Sequence, residues 1–324
     1  GDSESRCDLA RLMLAQDPNE NQKMLATFEF LKSAQGGNGA AWGELAVLFK
    51  ADVAALARVT LRNAAEAGHV QSQFELAQMY STGQGVAKSA SVAFHWYRLA
   101  AEQGSVDAQA ALGACFLAGD GCELDYQLAS LWLEKAAEQG NARAQWNLGT
   151  LFSLDRGENK RDLRVAFLWF KKAAASGFVP AQATLGVMFA RIQDFEQAHH
   201  WLETAAGQGD PEAAYNLALA YIKGQGTSKD LSRAFHWMAL AAERGVPQAQ
   251  ARLGLMYATG DGVALDAIEA HKWLALAAGA GDASAKLNFA HSEAQLGLMQ
   301  LAEARRRLAA WLEVSARKQS KLIS

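Results

Sequence analysis

Apolar residues return along this chain at helical spacing, and the pattern itself returns about every 36 residues. The segment Ala-Ala, two residues, Gly recurs at Ala64-Ala65…Gly68, Ala100-Ala101…Gly104, Ala136-Ala137…Gly140, Ala173-Ala174…Gly177, Ala205-Ala206…Gly209, Ala241-Ala242…Gly245 and Ala277-Ala278…Gly281. The glycines are 36, 36, 37, 32, 36 and 36 residues apart. Eight residues before six of them stands a tryptophan: Trp96, Trp132, Trp169, Trp201, Trp237 and Trp273. Three before each tryptophan is an alanine, Ala93, Ala129, Ala166, Ala198, Ala234 or Ala270. Steps of three and seven residues fall on one helical face. The pattern predicts a helix, B, whose structural core is these tryptophans and which stops at a glycine able to adopt the left-handed cap.

A second helix, A, opens each unit with alanine, leucine at +4, glycine or alanine at +5 and an aromatic at +8. Ala108-Leu112-Gly113-Phe116 and Ala249-Leu253-Gly254-Tyr257 show it in full. Ser72-Leu76-Ala77-Tyr80, Ala144-Leu148-Gly149-Phe152, Ala181-Leu185-Gly186-Phe189 and Ala213-Leu217-Ala218-Tyr221 complete the set. Small residues on the buried face let A and B approach closely, and the aromatics fill the space between units. Glycine turns join the two helices at Gly83-Gln84-Gly85, Gly119-Asp120-Gly121, Gly224-Gln225-Gly226 and Gly260-Asp261-Gly262. No Gly-Lys-Ser/Thr follows and no strand precedes, so these are tight helix connections and not a phosphate loop. The repeat predicts an all-α fold, a right-handed α/α superhelix (solenoid) of stacked antiparallel helix pairs.

These residues resemble the Sel-one-like repeat (SLR) family, a relative of the tetratricopeptide repeat. Its pattern A-x-x-x-L-G-x-x-Y-x-x-G-x-G-V…A-x-x-W-x-x-x-A-A-x-x-G matches residues 246–281 at nearly every marked position, and residues 69–104, 105–140 and 210–245 almost as well. The resemblance implies adaptor or scaffold proteins that act by protein–protein contact, many bacterial members being exported. A cysteine-rich branch linked to β-lactam binding carries a disulfide in each repeat. This chain lacks those cysteines, and that activity is not carried over.

The expected organisation is one continuous solenoid domain: capping helices in 1–37, about seven repeats in 38–295 and a capping helix in 296–324. Unit 38–68 is degenerate, with Thr60 in the tryptophan position. Unit 141–177 replaces the glycine turn with Asp155-Arg156-Gly157-Glu158-Asn159-Lys160-Arg161, and unit 178–209 is shortened, keeping only Arg191-Ile192-Gln193-Asp194 between its helices. A change of pitch is expected around 150–195. The last helix is expected from Ala302 to about Lys318, with Leu308, Trp311 and Leu312 on one face. Atypical ends are what a solenoid needs to hide its terminal apolar surface.

Composition narrows the function. Half of the 324 residues are hydrophobic, which is ample for a continuous core. A net charge of −3 gives no basic footprint for nucleic acid. The basic cluster Arg305-Arg306-Arg307 with Arg317, Lys318 and Lys321 reads as a solvated helix end. No apolar run is long enough for a membrane span. The chain starts at Gly1, and a removed export signal with a periplasmic location is expected, the cytoplasm otherwise. Cys7, Cys115 and Cys122 are an odd set; Cys115 and Cys122 are read either as a local bridge or as buried small side chains.

The search for chemistry finds no catalytic residues, cofactor site or metal site. His95, His200 and His236 each precede a helix-B tryptophan on separate helices and read as solvent-facing. His199-His200 lacks zinc-protease spacing. Asp120 and Asp125 recur as Asp261 and Asp266, but calcium-loop spacing and its final glutamate are absent, so helix capping is expected.

Stacked pairs curve, and helix A is expected to line the concave side. Two positions after its recurring alanine lies about 200° round the helix. That place holds Gly43, Phe74, Ala110, Trp146, Ala183, Tyr215, Ala251 and Leu287. The +6 place holds Val47, Gln78, Ala114, Thr150, Val187, Leu219, Leu255 and His291. The expected partner-binding residues are Phe74, Gln78, Arg143, Trp146, Asn147, Tyr215, Asn216, Leu219, Arg252 and Leu255. Their aromatics either anchor a partner or pack against neighbouring A helices. The partner is expected to be another protein, globular or a peptide segment, bound by a monomer. The chain would serve as an adaptor or as an inhibitor, for example an immunity protein neutralising a secreted toxic enzyme. A scaffold or regulator in envelope or polysaccharide-secretion assembly is the alternative, and a cell-wall or β-lactam hydrolase the least favoured.

Overall fold

The computed structural model describes residues 2–15, 19–38, 40–41, 44, 58, 61–155, 161–281 and 283–323, and among them there is no strand. The helices are α1 (Asp2–Leu14), α2 (Glu20–Gln35), α3 (Val70–Thr82), α4 (Ala90–Glu102), α5 (Val106–Ala118), α6 (Tyr126–Glu138), α7 (Ala142–Ser153), α8 (Leu163–Ala175), α9 (Val179–Arg191), α10 (Phe195–Gly207), α11 (Pro211–Lys223), α12 (Leu231–Glu243), α13 (Pro247–Thr259), α14 (Ala267–Gly279), α15 (Ala283–Gln295) and α16 (Leu298–Ile323). From α3 to α14 they are the alternating A and B helices read from the sequence. Gly43, Val47, Thr60 and 156–160 lie outside the described residues.

The chain divides into two compact units, Gly1–Arg161 and Asp162–Ser324. The divide falls in the segment that departs from the glycine turn. Within each unit consecutive helices pack as antiparallel neighbours, and A helices of successive repeats also touch: α5 meets α7, and α9 meets α11. The A helices are therefore the close-set, inner side of each stack.

Local chemistry sets the boundaries. Asp125 accepts hydrogen bonds from the amides of Gln127 and Leu128, both at 2.9 Å, and Asp266 does the same for Ile268 and Glu269. Each carboxylate satisfies amides that have no partner inside the helix, so these two aspartates are caps. Ser105, Asn141 and Asp210 cap A helices in the same way. The second glycine of the turn answers a different need. A Cβ at Gly262 (φ +73°) would stand 2.0 Å from the Leu231 carbonyl oxygen, because the turn presses on the first residue of the preceding helix B.

The core lies between A and B. Ala108, Leu112 and Gly113 of α5 and Ala129, Leu133, Ala136 and Ala137 of α6 are all buried, and the two helices pack on each other. A methyl group at Gly113 would overlap Leu133. The large side chain that helix B buries is one residue beyond the tryptophan: Tyr97, Leu133, Phe170, Leu202, Met238 and Leu274 are buried. Trp96, Trp132, Trp169, Trp201 and Trp237 are half-buried, and only Trp273 is buried. The inward step from the recurring alanine is thus four residues, not three. The tryptophans flank the core, with Lys135 and Lys172 each 4.2 Å above the rings of Trp132 and Trp169.

Aromatics seal successive repeats edge to face: Phe94 on Phe116, Phe167 on Phe189 and Phe235 on Tyr257, at 5.3, 5.5 and 5.4 Å. A buried glutamine recurs beside them. Gln73, Gln109, Gln145, Gln182 and Gln250 each donate to the carbonyl eight residues earlier, in the last turn of the preceding helix B, at 3.0–3.3 Å.

Both ends are built differently. α1 and α2 share a small core of Cys7, Ala10, Ala26, Phe30 and Ala34, which Ala41 joins from beyond α2. α16 is longer than expected, Leu298–Ile323, and packs on α14 with Trp311 edge-on to Trp273 at 5.8 Å. Leu312 is half exposed rather than on the packed face. Arg307 is no solvated end either. It pairs with Glu269 at 2.9 Å, Asp266 at 3.4 Å and Glu303 at 2.9 Å.

Candidate functional site

The inner residues of the A helices fall into one set per unit. In the first, Phe74 stands on α3, and Arg143, Trp146 and Asn147 stand on α7. Phe74, Trp146 and Asn147 are half-buried, while Gln78 and Arg143 are exposed. Phe74 leans on the buried Tyr97, ring centres 5.9 Å apart. Ala110, at the equivalent place on α5, is buried rather than outward, because α5 is closed in by its neighbours. In the second unit Tyr215, Asn216 and Leu219 lie on α11, with Arg252 and Leu255 on α13. Arg252 is exposed and the other four are half-buried. Tyr215 and Leu219 rest against the core of that stack. These side chains therefore both support the stack and present a face to solvent.

The shortened repeat adds a feature that the sequence reading passes over. A cavity of about 410 Å³ opens between α9, α10 and α11. Ala198, Leu202, Leu219 and Ala220 give it apolar walls; Arg191, Lys223, His199, Asn216 and Gln225 give it polar ones. Asn216 and Leu219 belong to the inner set as well. The signals in the sequence were the four missing residues and a histidine, His199, at a place where Phe94, Phe167 and Phe235 recur.

Cys115 is buried, and that burial, with Asp120 nearby, pushes its thiol up to about 12, far from a nucleophilic thiolate. Cys7, Cys115 and Cys122 are all free thiols. His95, His200 and His236 are exposed and lie edge-on to the neighbouring tryptophans at 5.4, 5.3 and 5.2 Å. No three His, Cys, Asp or Glu side chains among the described residues converge as metal ligands. Hydrogen bonds from Arg306 and Arg307 hold the Glu303 carboxyl down to about 2. No described helix is long and apolar enough to cross a membrane.

The Sel1 repeat family model matches residues 70–105, 106–141, 142–178, 180–210, 211–246 and 247–282. Among solved structures, a protective antigen present in uropathogenic Escherichia coli strains, displaying an SLR fold, is 27% identical. The match has a TM-score of 0.76 and covers 97% of this chain and 72% of that one. A Sel1 repeat protein from Oxalobacter formigenes is 32% identical with a TM-score of 0.62, over 66% of this chain and 89% of its own. No curated protein matches.

Proposed function

From a chain that belongs to the Sel1 repeat family, we propose a non-catalytic binding protein that recognises a partner protein through the inner faces of its A helices. The observation that carries this is that half-buried aromatics stand at equivalent places on their A helices in each unit: Phe74 and Trp146 with the exposed Gln78 and Arg143 in the first, and Tyr215 with the exposed Arg252 in the second. A rigid ring already held by its own stack loses little freedom on contact, which is why tryptophan and tyrosine dominate binding hot spots. Immobile aromatics among polar neighbours suit a dedicated partner. The finer reading is an inhibitor, for example an immunity protein covering a secreted toxic enzyme in the bacterial periplasm.

Affinity capture from the native source tests this. One partner in stoichiometric amount, lost on Trp146→Ala or Tyr215→Ala, supports the dedicated binder. Several weak partners favour an adaptor or a scaffold in an envelope or polysaccharide-secretion assembly. Turnover of cell-wall or β-lactam substrates by the pure protein would overturn the non-catalytic reading.

A further inference from the structure

Three residues, 192–194, separate α9 from α10, whereas seven separate α5 from α6 and α13 from α14. In the longer turn between α5 and α6, Cys122 packs on the core of its stack. The short turn provides no such cover, and the cavity bounded by α9, α10 and α11 lies at that place. Its charge is one-sided. Arg191 and Lys223 line it, both exposed, and no carboxylate does. Neither cation forms an ion pair among the described residues.

His199 is an independent pointer. Phenylalanine at this position seals the repeats at Phe94, Phe167 and Phe235. His199 keeps the same edge contact, with Tyr221 at 5.3 Å, but brings two ring nitrogens into an apolar seam. Nδ1 faces Glu203 at 3.9 Å, and Nε2 is buried with no hydrogen-bond partner among the described residues. An unsatisfied buried nitrogen is a cost that phenylalanine avoids. His199 is also one of the residues that line the cavity, where its ring stands in place of the phenylalanine of the other repeats.

We propose that this cavity is a carboxylate pocket that takes an acidic side chain of the partner protein together with an adjoining aliphatic one. The aliphatic group rests on Leu202 and Leu219, the carboxylate meets Arg191 and Lys223, and His199 forms the polar wall. The inference rests on the protein-binding reading, since Asn216 and Leu219 serve both. A volume of about 410 Å³ accommodates a ligand of this size.

The probes are N-acetyl-Leu-Glu-Leu-amide, its Gln analogue, and N-acetyl-Leu-Leu with a free terminal carboxylate, each titrated into the full chain by calorimetry. The Glu peptide is expected to bind at least five-fold tighter than the Gln peptide at low salt. That preference is expected to vanish in Arg191→Gln/Lys223→Gln and to shrink as salt screens the exposed cations. His199→Phe, matched to Phe235, is expected to keep the fold and weaken the Glu peptide at least three-fold. An unchanged affinity overturns the role given to His199. Equal affinity for Glu and Gln peptides, or a preference that survives the double variant, overturns the pocket. Tighter binding of the free terminal carboxylate overturns the acidic side chain as its occupant. If partner capture falls with Tyr215→Ala but is untouched by the double variant, the pocket fails while the binding face stands.

Discussion

Gln139 donates its side-chain amide to Oε1 of Gln109 at 3.0 Å, and Gln109 donates its own amide to the Ala101 carbonyl at 3.3 Å. Two side chains thus tie the ends of successive B helices, α4 and α6, through the start of the A helix between them. Gln103 to Gln73 and Gln208 to Gln182 repeat the arrangement at 2.7 Å. Gln109→Met keeps the length of the side chain and removes both bonds, leaving a buried carbonyl without this donor. The Ala101 carbonyl still accepts from the Gly104 amide at 3.0 Å, so at about 1 kcal/mol per lost bond the expected loss is about 2 kcal/mol. Urea unfolding followed by circular dichroism measures it. A variant as stable as the parent would make the ladder incidental.

Gly262 and Gly245 both have positive φ, +73° and +89°, but only Gly262 faces a crowded neighbour. Gly245→Ala is expected to cost about 1–2 kcal/mol for the left-handed backbone alone. Gly262→Ala adds the overlap with the Leu231 carbonyl, and overpacking brings the sum to about 3–5 kcal/mol. Thermal melts of the two variants separate the terms. Equal losses would show that the turn gives way without resistance.

Met238 is fully buried on α12, while its neighbour Trp237 is half-buried against the same core. Met238→Ala is expected to cost about 3 kcal/mol, within the range for a buried methionine. Trp237→Ala is expected to cost about 1–2 kcal/mol, because only part of the ring leaves water. That is below the about 3–5 kcal/mol of a fully buried aromatic, which the sequence alone invites. Chemical denaturation of both variants decides the order, and the reverse ranking would return the tryptophan to the core.

The helix pairs and their turns were legible because small residues are needed wherever backbones meet. The alanines and glycines, Gly113 against Leu133 among them, leave a trace at fixed intervals. What escaped was polar and buried. Gln109 looks like a surface residue, and only its recurrence at Gln73, Gln145, Gln182 and Gln250 marks it as structural. Arg307 looks like part of a solvated basic end because its partners Asp266 and Glu269 are 41 and 38 residues away. The inner aromatics were found by helical geometry, yet Ala110 shows its limit, since a neighbouring helix can cover a side that periodicity leaves open. The cavity at His199 needed the missing turn residues and the lost phenylalanine to be read together.

Tyr215 rests on the core of its stack but keeps part of its ring in solvent. Tyr215→Ala is therefore expected to leave helicity unchanged by circular dichroism while weakening the captured partner by more than about 2 kcal/mol, the scale of a binding hot spot. Titration of the variant against that partner gives the number. Unchanged affinity would move the binding surface off α11.

His271 closes the second unit by stacking on Phe289, ring centres 4.6 Å apart, with Nδ1 at 2.8 Å from the Ser292 hydroxyl. Burial depresses its basicity; Arg305 depresses it further, and Glu293 opposes them. The unfolded histidine protonates near pH 6.5, so between that pH and the lower folded value the unfolded chain binds the extra proton. Stability from this group is complete above about pH 6.5 and is lost as pH falls through the folded pKa. Packing of α15 on α14 should therefore loosen on mild acidification, read as faster amide exchange in α15 at pH 5 than at pH 7 after correction for intrinsic rates. His271→Phe, the residue at the equivalent Phe235, removes the titration, and Ser292 keeps its bond to the Phe289 carbonyl at 2.7 Å. The variant is expected to hold α15 equally well at both pH values. A variant that loosens as much as the parent would place the acid sensitivity elsewhere.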